Sequence, residues 1–253
     1  MKKQDVATGV VAVIPARGGS KSIPRKNLLP LFGAPLLAFS IDVARQLSFV
    51  KRVIVSTEDE EIAKVATMYG AEIVQRPPDL ASDYSRDDSF LTHLLTIEKP
   101  VSLNEVIMLL RPTHPIRNPL TLSNAYSLYL KNKGKCDSLR SMKKSTEIIF
   151  KTWTIDSEGF ALPAFDSEIT SVEDPCNAPR QLLPDTFYQD GYVEIFPLST
   201  VEKFKSTSGT RVLPFIVSEY SQDVDYVNDV DAIVSYFSKN EPPNWFRVPK
   251  KVK

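Results

Sequence analysis

A continuous apolar run near the start of the chain constrains the fold more than any other segment. Residues 10–16 read Val-Val-Ala-Val-Ile-Pro-Ala, with four β-branched side chains and no polar one. Such a run is typical of a strand buried on both faces of a sheet. Helical patterns and further apolar strands alternate after it, which predicts an α/β fold with a mostly parallel sheet and helices on both faces.

The alternation can be followed as far as residue 142. Apolar residues at helical spacing predict helices, and short β-branched runs predict strands. Thr57 or Asp59 is placed to cap the second helix, and Gly70 is placed to end it. The predicted helices cover residues 36–47, 60–69, 88–99 and 120–131, and the predicted strands after the first cover residues 52–56, 71–75, 105–110 and 136–142.

The alternation of predicted helices and strands breaks down in the middle of the chain. Residues 143–189 mix short apolar runs with four prolines, so we predict an inserted arm that is loop-rich or antiparallel. Two strands and a helix then resume the core pattern, at residues 192–196, 212–217 and 229–237. We predict a single domain over residues 10–238, with residues 143–189 as the arm and residues 240–253 as a loose C-terminal tail.

Composition and charge exclude several classes of protein. Lys and Arg number 31, as do Asp and Glu, and a formal charge of zero argues against a general nucleic-acid binder. No window approaches the roughly 20 apolar residues of a membrane span, and the polar start does not predict a signal peptide. Cys136 and Cys176 are too few for a disulfide framework and too far apart for a metal knuckle. We therefore expect a cytoplasmic protein without membrane contact.

A basic, glycine-containing loop follows the first predicted strand. Residues 17–26 hold four cations and no acid. Gly18 and Gly19 would let backbone N–H groups approach an anion, while Lys and Arg side chains neutralise phosphate. The loop is not a Walker A sequence, and it lacks the GxGxxG of dinucleotide-dependent oxidoreductases. Since ligands of parallel sheets gather at the carboxyl ends of the strands, this loop is a candidate phosphate-binding site.

An acidic segment lies near the other end of the chain. Residues 219–231 hold five acids and no cation, and on an extended segment Asp223 and Asp225 point the same way. Clustered like charges are tolerated best where they share a cation, and Mg²⁺ takes one or two carboxylates together with water and phosphate oxygens. Asp229 is better placed to cap the last helix. A phosphate-binding loop and a Mg²⁺ site on one sheet indicate a nucleoside triphosphate.

A third polar segment, residues 109–117, overlaps the end of the strand predicted over 105–110. Its His114 stands between two prolines and is interpreted as a packed or exposed loop residue. With His93 as the only other histidine, the chain offers no zinc cluster. No Ser–His–Asp, Cys–His or GxSxG arrangement stands out, so the sequence contains no evident covalent nucleophile.

Six motifs in register resemble those of the acylneuraminate cytidylyltransferases, also called CMP-sialic acid synthetases. They are IPARGGSKSIPRKN (14–27), VIVST (53–57), RPPDLASD (76–83), LLRPTHPIR (109–117), PRQLLP (179–184) and DVD followed by a further acid (223–229). The likeness spans about residues 11–237. One motif alone is weak, but six in this order are highly specific.

This resemblance implies a Rossmann-like nucleotidyltransferase fold with an inserted dimerisation arm, and hence a homodimer. It also implies Mg²⁺-dependent transfer of CMP from CTP to an acidic 2-keto sugar, with release of pyrophosphate. The anomeric hydroxyl of the sugar would attack the α-phosphorus, a transfer that depends on positioning and charge neutralisation. The absence of an evident nucleophile agrees with this chemistry.

Matched position by position, the motifs imply roles for individual residues. Asp223 and Asp225 would bind Mg²⁺. The triphosphate would be held by Arg17, Gly18, Ser20, Lys21, Lys26 and Asn27, and the cytosine would be contacted by Arg76, Ser85 and Asp87. The residues implied to be catalytic are Arg17, Lys21, Lys26 and Asp223.

The resemblance assigns the acidic sugar to Arg111, Lys151, Arg180, Gln181 and Asp190, partly across a dimer interface. Three sugar-facing positions depart from the family pattern: Arg111 replaces a glutamine, Asp190 replaces an asparagine, and Tyr188 stands where some members have arginine. The phosphate and metal positions are intact. We therefore predict that the reaction class is kept and that the sugar is a nonulosonic acid other than N-acetylneuraminate, such as a legionaminate type.

Two alternatives remain open from the sequence. One is a related sugar-activating nucleotidyltransferase that uses Kdo or a nucleotide other than CTP, although Kdo enzymes lack the PRQ segment found here at residues 179–181. The other is a non-catalytic protein that binds a nucleotide sugar. The intact cations of the basic loop and the intact pair Asp223 and Asp225 argue against this second alternative.

Overall fold

The computed structural model describes residues 9–20, 22–82 and 85–252. Its strands are β1 (Val10–Pro15), β2 (Pro30–Leu31), β3 (Ala34–Pro35), β4 (Val50–Thr57), β5 (Glu72–Gln75), β6 (Val106–Leu109), β7 (Ser138–Lys144), β8 (Trp153–Ile155), β9 (Ala161–Pro163), β10 (Phe187–Pro197) and β11 (Val212–Ile216). Its helices are α1 (Leu36–Gln46), α2 (Glu60–Met68), α3 (Asp87–His93), α4 (Pro119–Lys131), α5 (Ser167–Thr170), α6 (Leu198–Phe204) and α7 (Val227–Lys239). Within these ranges, no helix has both the length and the apolar character needed to cross a bilayer.

Seven strands form one sheet in the order β11-β7-β10-β6-β1-β4-β5. β1 pairs in parallel with β4 on one side and with β6 on the other, and β4 pairs in parallel with β5. β10 runs antiparallel to β6. The predicted α/β fold with a mostly parallel sheet is therefore confirmed. Strands are added on both sides of β1, and α/β sheets bind ligands at such a switch point.

Alternate residues of β1 face opposite layers of helices. Val10, Ala12 and Ile14 lie in an apolar cluster with side chains of α1, α2 and α4. Val11 and Val13 lie in a second cluster with side chains of α3 and α6. All five side chains are fully buried, because a strand covered on both faces has no solvent side. This packing anchors the start of the loop that leaves the carboxyl end of β1.

The chain divides into two compact units, of which the second, Met142–Asp190, lies within one residue of the arm predicted over 143–189. In this second unit β8 and β9 form an antiparallel hairpin. Asp156 Oδ1 accepts the backbone N–H groups of Glu158 and Phe160 in the turn. The second unit also contains α5 and two short 3₁₀ helices, so most of it is irregular.

The C-terminal segment departs from the prediction of a loose tail. After α7 its described residues form no helix or strand, yet they pack on other parts of the first unit, to which they belong. Phe246 stacks on Phe237 of α7 with ring centroids 4.5 Å apart, and Arg247 donates two hydrogen bonds of 2.8 Å to Asp42 of α1. The tail composition suggested a solvated end because prolines and cations outnumber its aromatic anchors, and the partners of those anchors lie far away along the sequence.

Several elements have bounds that differ from their predictions; β10, for example, begins at Phe187 rather than at residue 192, within the predicted arm. Helix α3 ends at His93 rather than at residue 99, because the chain continues in tight turns and the residue before Pro100 disfavours a helix. Strand β7 begins at Ser138 rather than at residue 136. The chain ahead of it turns at Gly134, whose φ of +85° is the left-handed region that favours glycine.

Candidate active site

A cavity of about 290 Å³ lies in the first unit at the carboxyl ends of β1, β5 and β6. Three loops form its walls, and they carry seven of the nine residues assigned to the nucleotide: Arg17, Ser20, Lys26, Asn27, Arg76, Ser85 and Asp87. Gly18 does not line the cavity, and Lys21 lies outside the described residues. Arg111, assigned to the sugar, also lines it. The fold therefore gathers residues that the sequence places in three separate segments of the chain.

The basic loop is closed by contacts from its own residues and from the chain after β4. The side-chain amide of Asn27 donates to the Arg17 carbonyl over 2.8 Å, and the Gly18 backbone N–H donates to Glu58 Oε1 over 2.6 Å. A Cβ on Gly18 would come within 2.6 Å of Asp59 Oδ2. The close approach of the two chains therefore requires glycine at this position, and Gly18 organises the loop from behind the cavity.

Arg25 does not line the cavity, although it belongs to the basic loop. Its guanidinium binds the carboxylates of Asp59 and Glu61 at the start of α2, with one contact to Asp59 of 3.0 Å. The hydrogen bond to Asp59 is the main reason that the pKa of Arg25 is raised. Asp59 also accepts the Ile62 N–H over 2.9 Å and so caps α2, which decides between the two caps that the sequence offered, Thr57 and Asp59. Arg25 thus fastens the loop to α2, whereas Arg17 and Lys26 face the cavity.

Arg76 brings a buried positive charge to the cavity, with 4% of its surface exposed. It donates to the hydroxyl of Ser56 over 3.1 Å and to the Ser56 carbonyl over 2.9 Å. Its guanidinium carbon lies 4.5 Å from the centre of the Phe90 ring. Burial lowers the pKa of Arg76. Because both of these hydrogen bonds go to uncharged oxygens, the charge adds to the positive potential of the cavity.

Arg111 lies in the cavity wall and is shared by two carboxylates. Its Nη2 donates to Asp87 Oδ2 over 2.5 Å and to Glu194 Oε1 over 2.8 Å. The other oxygen of Glu194 accepts from Arg140 over 2.6 Å. Burial lowers the pKa of Arg111, but the two carboxylates outweigh burial and leave the pKa raised. Asp87, assigned to the cytosine, therefore also holds Arg111 in place.

The acidic segment meets the basic loop at the edge of the cavity. Lys26 Nζ donates to Asp225 Oδ1 over 2.9 Å. The Lys26 side chain is 9% exposed, whereas that of Asp225 is 60% exposed. Val224 is fully buried, and its N–H donates over 2.7 Å to the carbonyl of Thr113, a cavity residue. Neither Asp223 nor Asp225 lines the cavity itself, but the buried Val224 and the contact with Lys26 hold this segment beside two residues that do, Thr113 and Lys26.

Asp223 carries an oxygen suited to binding a cation. Its Oδ1 is buried and has no hydrogen-bond partner among the described residues, a costly arrangement that a bound cation would relieve. Burial raises the pKa of Asp223 against the opposing effect of a hydrogen bond with Thr113, and the charge of Asp225 adds to the rise. Across residues 9–20, 22–82 and 85–252, no three His, Cys, Asp or Glu side chains group closely enough to hold a metal ion. The acid pair therefore fits an ion that completes its coordination with water and substrate oxygens.

Asp229 has a different role from the acid pair. Its Oδ2 accepts the backbone N–H groups of Asp225 and Tyr226, over 2.9 and 2.7 Å, at the start of α7. Its Oδ1 accepts a hydrogen bond of 3.2 Å from the Gln222 side chain. These contacts agree with the helix-capping role predicted for Asp229, and they also hold the backbone of Asp225 in place.

The other residues assigned to the sugar lie on the second unit. Lys151 ends a short 3₁₀ helix, and Arg180 and Gln181 begin another. Arg180 and Gln181 are exposed. Asp190 lies in β10 and is buried. The structure thus places Arg111 at the cavity and the remaining four residues on the second unit.

Sequence reasoning missed three charged residues around the cavity. Glu58 accepts from the Gly18 backbone, and Glu194 links Arg111 to Arg140. Arg117 is buried and donates to the Arg111 carbonyl over 3.0 Å and so supports the loop after β6. Glu194 had a detectable signal, since an acid interrupts the apolar run of residues 192–196. For Glu58 the sequence offered no signal beyond its position just after a predicted strand.

The fold and the cavity define an α/β protein with a charged ligand cavity at the carboxyl ends of its strands. The chain belongs to the cytidylyltransferase family, because the family model described as Cytidylyltransferase matches residues 11–154, more than half of the chain. The family membership indicated by the six motifs is therefore confirmed.

Similar proteins act on related sugar acids, according to their names. The chain is 32% identical over 230 residues to a CMP-N,N'-diacetyllegionaminic acid synthase of Legionella pneumophila, covering 88% of this chain and 92% of that protein. It is 39% identical over 122 residues to an N-acylneuraminate cytidylyltransferase of Escherichia coli, covering 48% of this chain and 28% of that longer protein.

A solved structure of a CMP:2-keto-3-deoxy-manno-octonic acid synthetase in complex with CTP has a similar fold. The TM-score is 0.66 at 14% identity, covering 91% of this chain and 99% of that one. At this level of identity the likeness extends to the fold alone.

Proposed function

We propose that the protein activates an acidic 2-keto sugar of the nonulosonic acid class with CTP, giving the CMP-sugar and pyrophosphate. The observation that carries the proposal is the contact between Lys26, which lines the cavity, and Asp225 of the acidic segment beside it. Membership of the cytidylyltransferase family supports CTP as the nucleotide. The name of the Legionella relative supports a legionaminate-type acid as the sugar.

The cavity divides into a phosphate end and a base end. Arg17 and Lys26, with Ser20 and Asn27, line it from the basic loop, so we place the triphosphate there, with Lys21 of the same loop as a further ligand. Arg76, with Ser85 and Asp87, lines the cavity from the chain after β5, so we place the cytosine there. Lysine and arginine side chains at the phosphates neutralise charge as pyrophosphate leaves, which is the main catalytic demand of such a transfer.

We assign Mg²⁺ to Asp223 and Asp225. The buried, unpartnered Oδ1 of Asp223 and the exposed carboxylate of Asp225 are two hard oxygen ligands at the edge of the cavity. When bound, Mg²⁺ supplies further neutralisation of the phosphate oxygens. Lys26 holds Asp225 at this edge and carries a positive charge into the same wall.

The sugar is assigned to Arg111 and to the second unit. Cations suit the carboxylate of a 2-keto acid, and Lys151 and Arg180 supply two of them, with Gln181 and Asp190 as polar contacts. Arg111 differs from these residues because the carboxylates of Asp87 and Glu194 already balance its charge. We therefore expect Arg111 to shape the sugar pocket more than to attract the acid.

The β8–β9 hairpin supports a homodimer. Trp153, Ile155 and Leu162 are 49%, 69% and 49% exposed. Large apolar side chains exposed together on one hairpin are typical of a protein interface. We propose that the second unit pairs with another copy of this chain.

The proposed reaction belongs in a reducing compartment where CTP is made, which is the cytoplasm. Both cysteines are free: Cys176 is buried and Cys136 is partly buried. Unpaired thiols are the usual state of cysteine in such a compartment.

A pyrophosphate-release assay tests the proposed function. The purified chain would be given each of the four nucleoside triphosphates together with N-acetylneuraminate, legionaminate-type and pseudaminate-type acids or Kdo, with Mg²⁺ or with a chelator. We expect turnover with CTP, Mg²⁺ and a legionaminate-type acid. Asp225→Asn should lose most of this rate, whereas Asp231→Asn, which alters an exposed acid of the same segment, should retain it.

Each other outcome points to a different protein. Turnover with Kdo alone, or with another nucleotide, would assign the related sugar-activating enzyme. N-acetylneuraminate as by far the best substrate would overturn the altered sugar while keeping the reaction. Binding of CTP without any turnover across the whole panel would favour the non-catalytic alternative.

A further inference from the structure

A third apolar cluster lies beneath the candidate site and is closed by the C-terminal segment. Trp245 and Phe246 pack against its buried members. Those members come from chain segments that are far apart in sequence: Ile23, Leu31, Ala34, Leu36, Phe39, Ile116, Val224 and Ile233. The C-terminal segment therefore covers an apolar cluster in which several distant parts of the chain meet.

Three members of this cluster belong to the segments that form the site. Ile23 lies in the basic loop, Ile116 lies in the loop after β6, and Val224 lies between the two acids. They are 3%, 1% and 0% exposed. Because closely packed interiors transmit displacement, the spacing between the basic loop and the acids depends on how this cluster is filled.

Phe246 contacts both sides of the cluster. Its ring centroid lies 5.6 Å from that of Phe32, in the turn between β2 and β3 that follows the basic loop. It lies 4.5 Å from that of Phe237, on the helix that follows the acids. Phe32 has a φ of +51°, a left-handed conformation that is uncommon for a bulky residue. Such a conformation persists where surrounding contacts hold it, and the rings of Phe237 and Phe246 are those contacts.

Two polar contacts fasten the segment on either side of this packing. Arg247 donates two hydrogen bonds of 2.8 Å to Asp42 of α1. The backbone N–H of Val252 donates to the Met68 carbonyl, at the end of α2, over 2.8 Å. Residues 245–252, here called the C-terminal strap, thus contact α1, α2, α7 and the β2–β3 turn.

We infer that the C-terminal strap sets the spacing between Lys26 and the acid pair, with Phe246 as its main positioning residue. Phe246 does not line the cavity and acts through the third cluster. The effect on catalysis rests on the proposed function, whereas the effect on the geometry of the site does not. Loss of the ring would loosen the basic loop and the acids together, although these segments lie about 200 residues apart along the chain.

Hydrogen exchange of the full chain tests the geometric part. Phe246→Ala should speed amide exchange about tenfold in peptides covering residues 22–28 and 223–226 and leave β1 unchanged. The matched control is Phe49→Ala, because Phe49 stacks on Tyr126 at 4.4 Å in the first cluster, away from the strap. If both variants speed exchange equally in the site peptides, or if Phe246→Ala changes neither peptide, the inference is wrong.

Kinetics test the catalytic part. Phe246→Ala should raise both the KM for CTP and the half-saturating Mg²⁺ concentration about five- to tenfold, with kcat within about twofold, since the strap acts on binding geometry. Phe246→Leu should restore most of the affinity by refilling the apolar volume. An unchanged KM and an unchanged Mg²⁺ requirement in Phe246→Ala would overturn this part.

Arg247→Gln provides a second variant should Phe246→Ala fail to fold. It removes the contact with Asp42 without opening a cavity in the third cluster. It should speed amide exchange in the same two peptides, and raise the KM for CTP and the half-saturating Mg²⁺ concentration, by smaller factors than Phe246→Ala does. The experiments distinguish a failure of the proposed function from a failure of the inference about the strap. A wild-type chain that never turns over CTP refutes the proposed function, while the exchange experiment still decides the role of the strap.

Discussion

Lys26 Nζ lies 2.9 Å from Asp225 Oδ1, although 199 positions separate the two residues in sequence. Lys26 is almost fully buried and Asp225 is mostly exposed. An unpaired ammonium group is more costly in a buried position than an unpaired carboxylate in solvent, because the buried group has lost its water. The contact therefore orients the lysine within the cavity wall and leaves much of the carboxylate available to other ligands.

Removing the Lys26 charge should damage catalysis far more than folding. Lys26→Met is expected to lower kcat/KM for CTP by about 100-fold or more, the size of effect seen when one stabilising group is lost from a reacting centre. Lys64→Met, at an exposed position of α2, is the matched control and should leave kcat/KM unchanged. A double-mutant cycle with Asp225→Asn should give a coupling in unfolding free energy of about 1 kcal/mol or less, because Asp225 is solvated. A larger coupling would mean that the pair is mainly structural.

Asp223 should oppose folding stability at neutral pH. Its pKa is raised by burial from the ordinary 3.8, so the folded state holds the proton more tightly than the unfolded state. Stability therefore falls as the pH rises from the ordinary pKa through the raised one. Asp223→Asn should be more stable than the wild type at about pH 7, and this difference should shrink as the pH approaches 4. Urea unfolding across this range measures both trends.

The role of Asp223 in Mg²⁺ binding can be measured through thermal stability. Mg²⁺ should raise the midpoint of thermal unfolding of the wild type by mass action and have a smaller effect on Asp223→Asn. Asp231→Asn serves as the control and should respond as the wild type does. A lower stability of Asp223→Asn at neutral pH would contradict the role assigned to the buried carboxylate.

Arg111 should contribute to stability through the carboxylates that it joins. Arg111→Met leaves Asp87 and one oxygen of Glu194 without this cation, and we expect a loss of about 1–3 kcal/mol in unfolding free energy. Glu194 retains Arg140, which limits the loss. Lys144→Met removes an exposed ion pair with Asp185 and should cost about 0–1 kcal/mol. Denaturant unfolding of both variants makes the comparison, and equal losses would contradict it.

Arg111 should also affect which sugar is accepted. Arg111→Gln places an amide in the same wall, and we expect the ratio of kcat/KM between N-acetylneuraminate and a legionaminate-type acid to shift about tenfold, with the KM for CTP within about twofold. A change confined to the KM for CTP would instead place Arg111 with the nucleotide through Asp87.

The hairpin of the second unit should control association. Ile155 is 69% exposed, so Ile155→Asp should leave the second unit folded while placing a charge in the proposed interface, which costs several kcal/mol when buried. We expect sedimentation to show a dimer for the wild type and a monomer for this variant. Leu120→Asp alters a residue of α4 that is 65% exposed and should remain dimeric. An unchanged association state of Ile155→Asp would remove the hairpin from the interface.

Local patterns in the sequence determined much of this protein. The buried run of β1 and the alternation after it predicted the α/β sheet, because side-chain periodicity is a property of neighbouring residues. The basic loop and the acid pair were recognisable for the same reason, since their charges are clustered within about a dozen positions. Asp59 was also predictable as a cap, because a helix start is a local event.

Only the tertiary structure decided which charges face one another. Arg25 and Lys26 are adjacent in sequence, yet one binds the acids of α2 and the other binds Asp225. The ion pairs of Arg111 with Asp87 and Glu194 were likewise not predictable from the sequence. Nor was the packing of the C-terminal strap, whose prolines and cations suggested a solvated end. Such pairings depend on how distant segments pack, and packing is set by the shape of the whole core rather than by any local pattern.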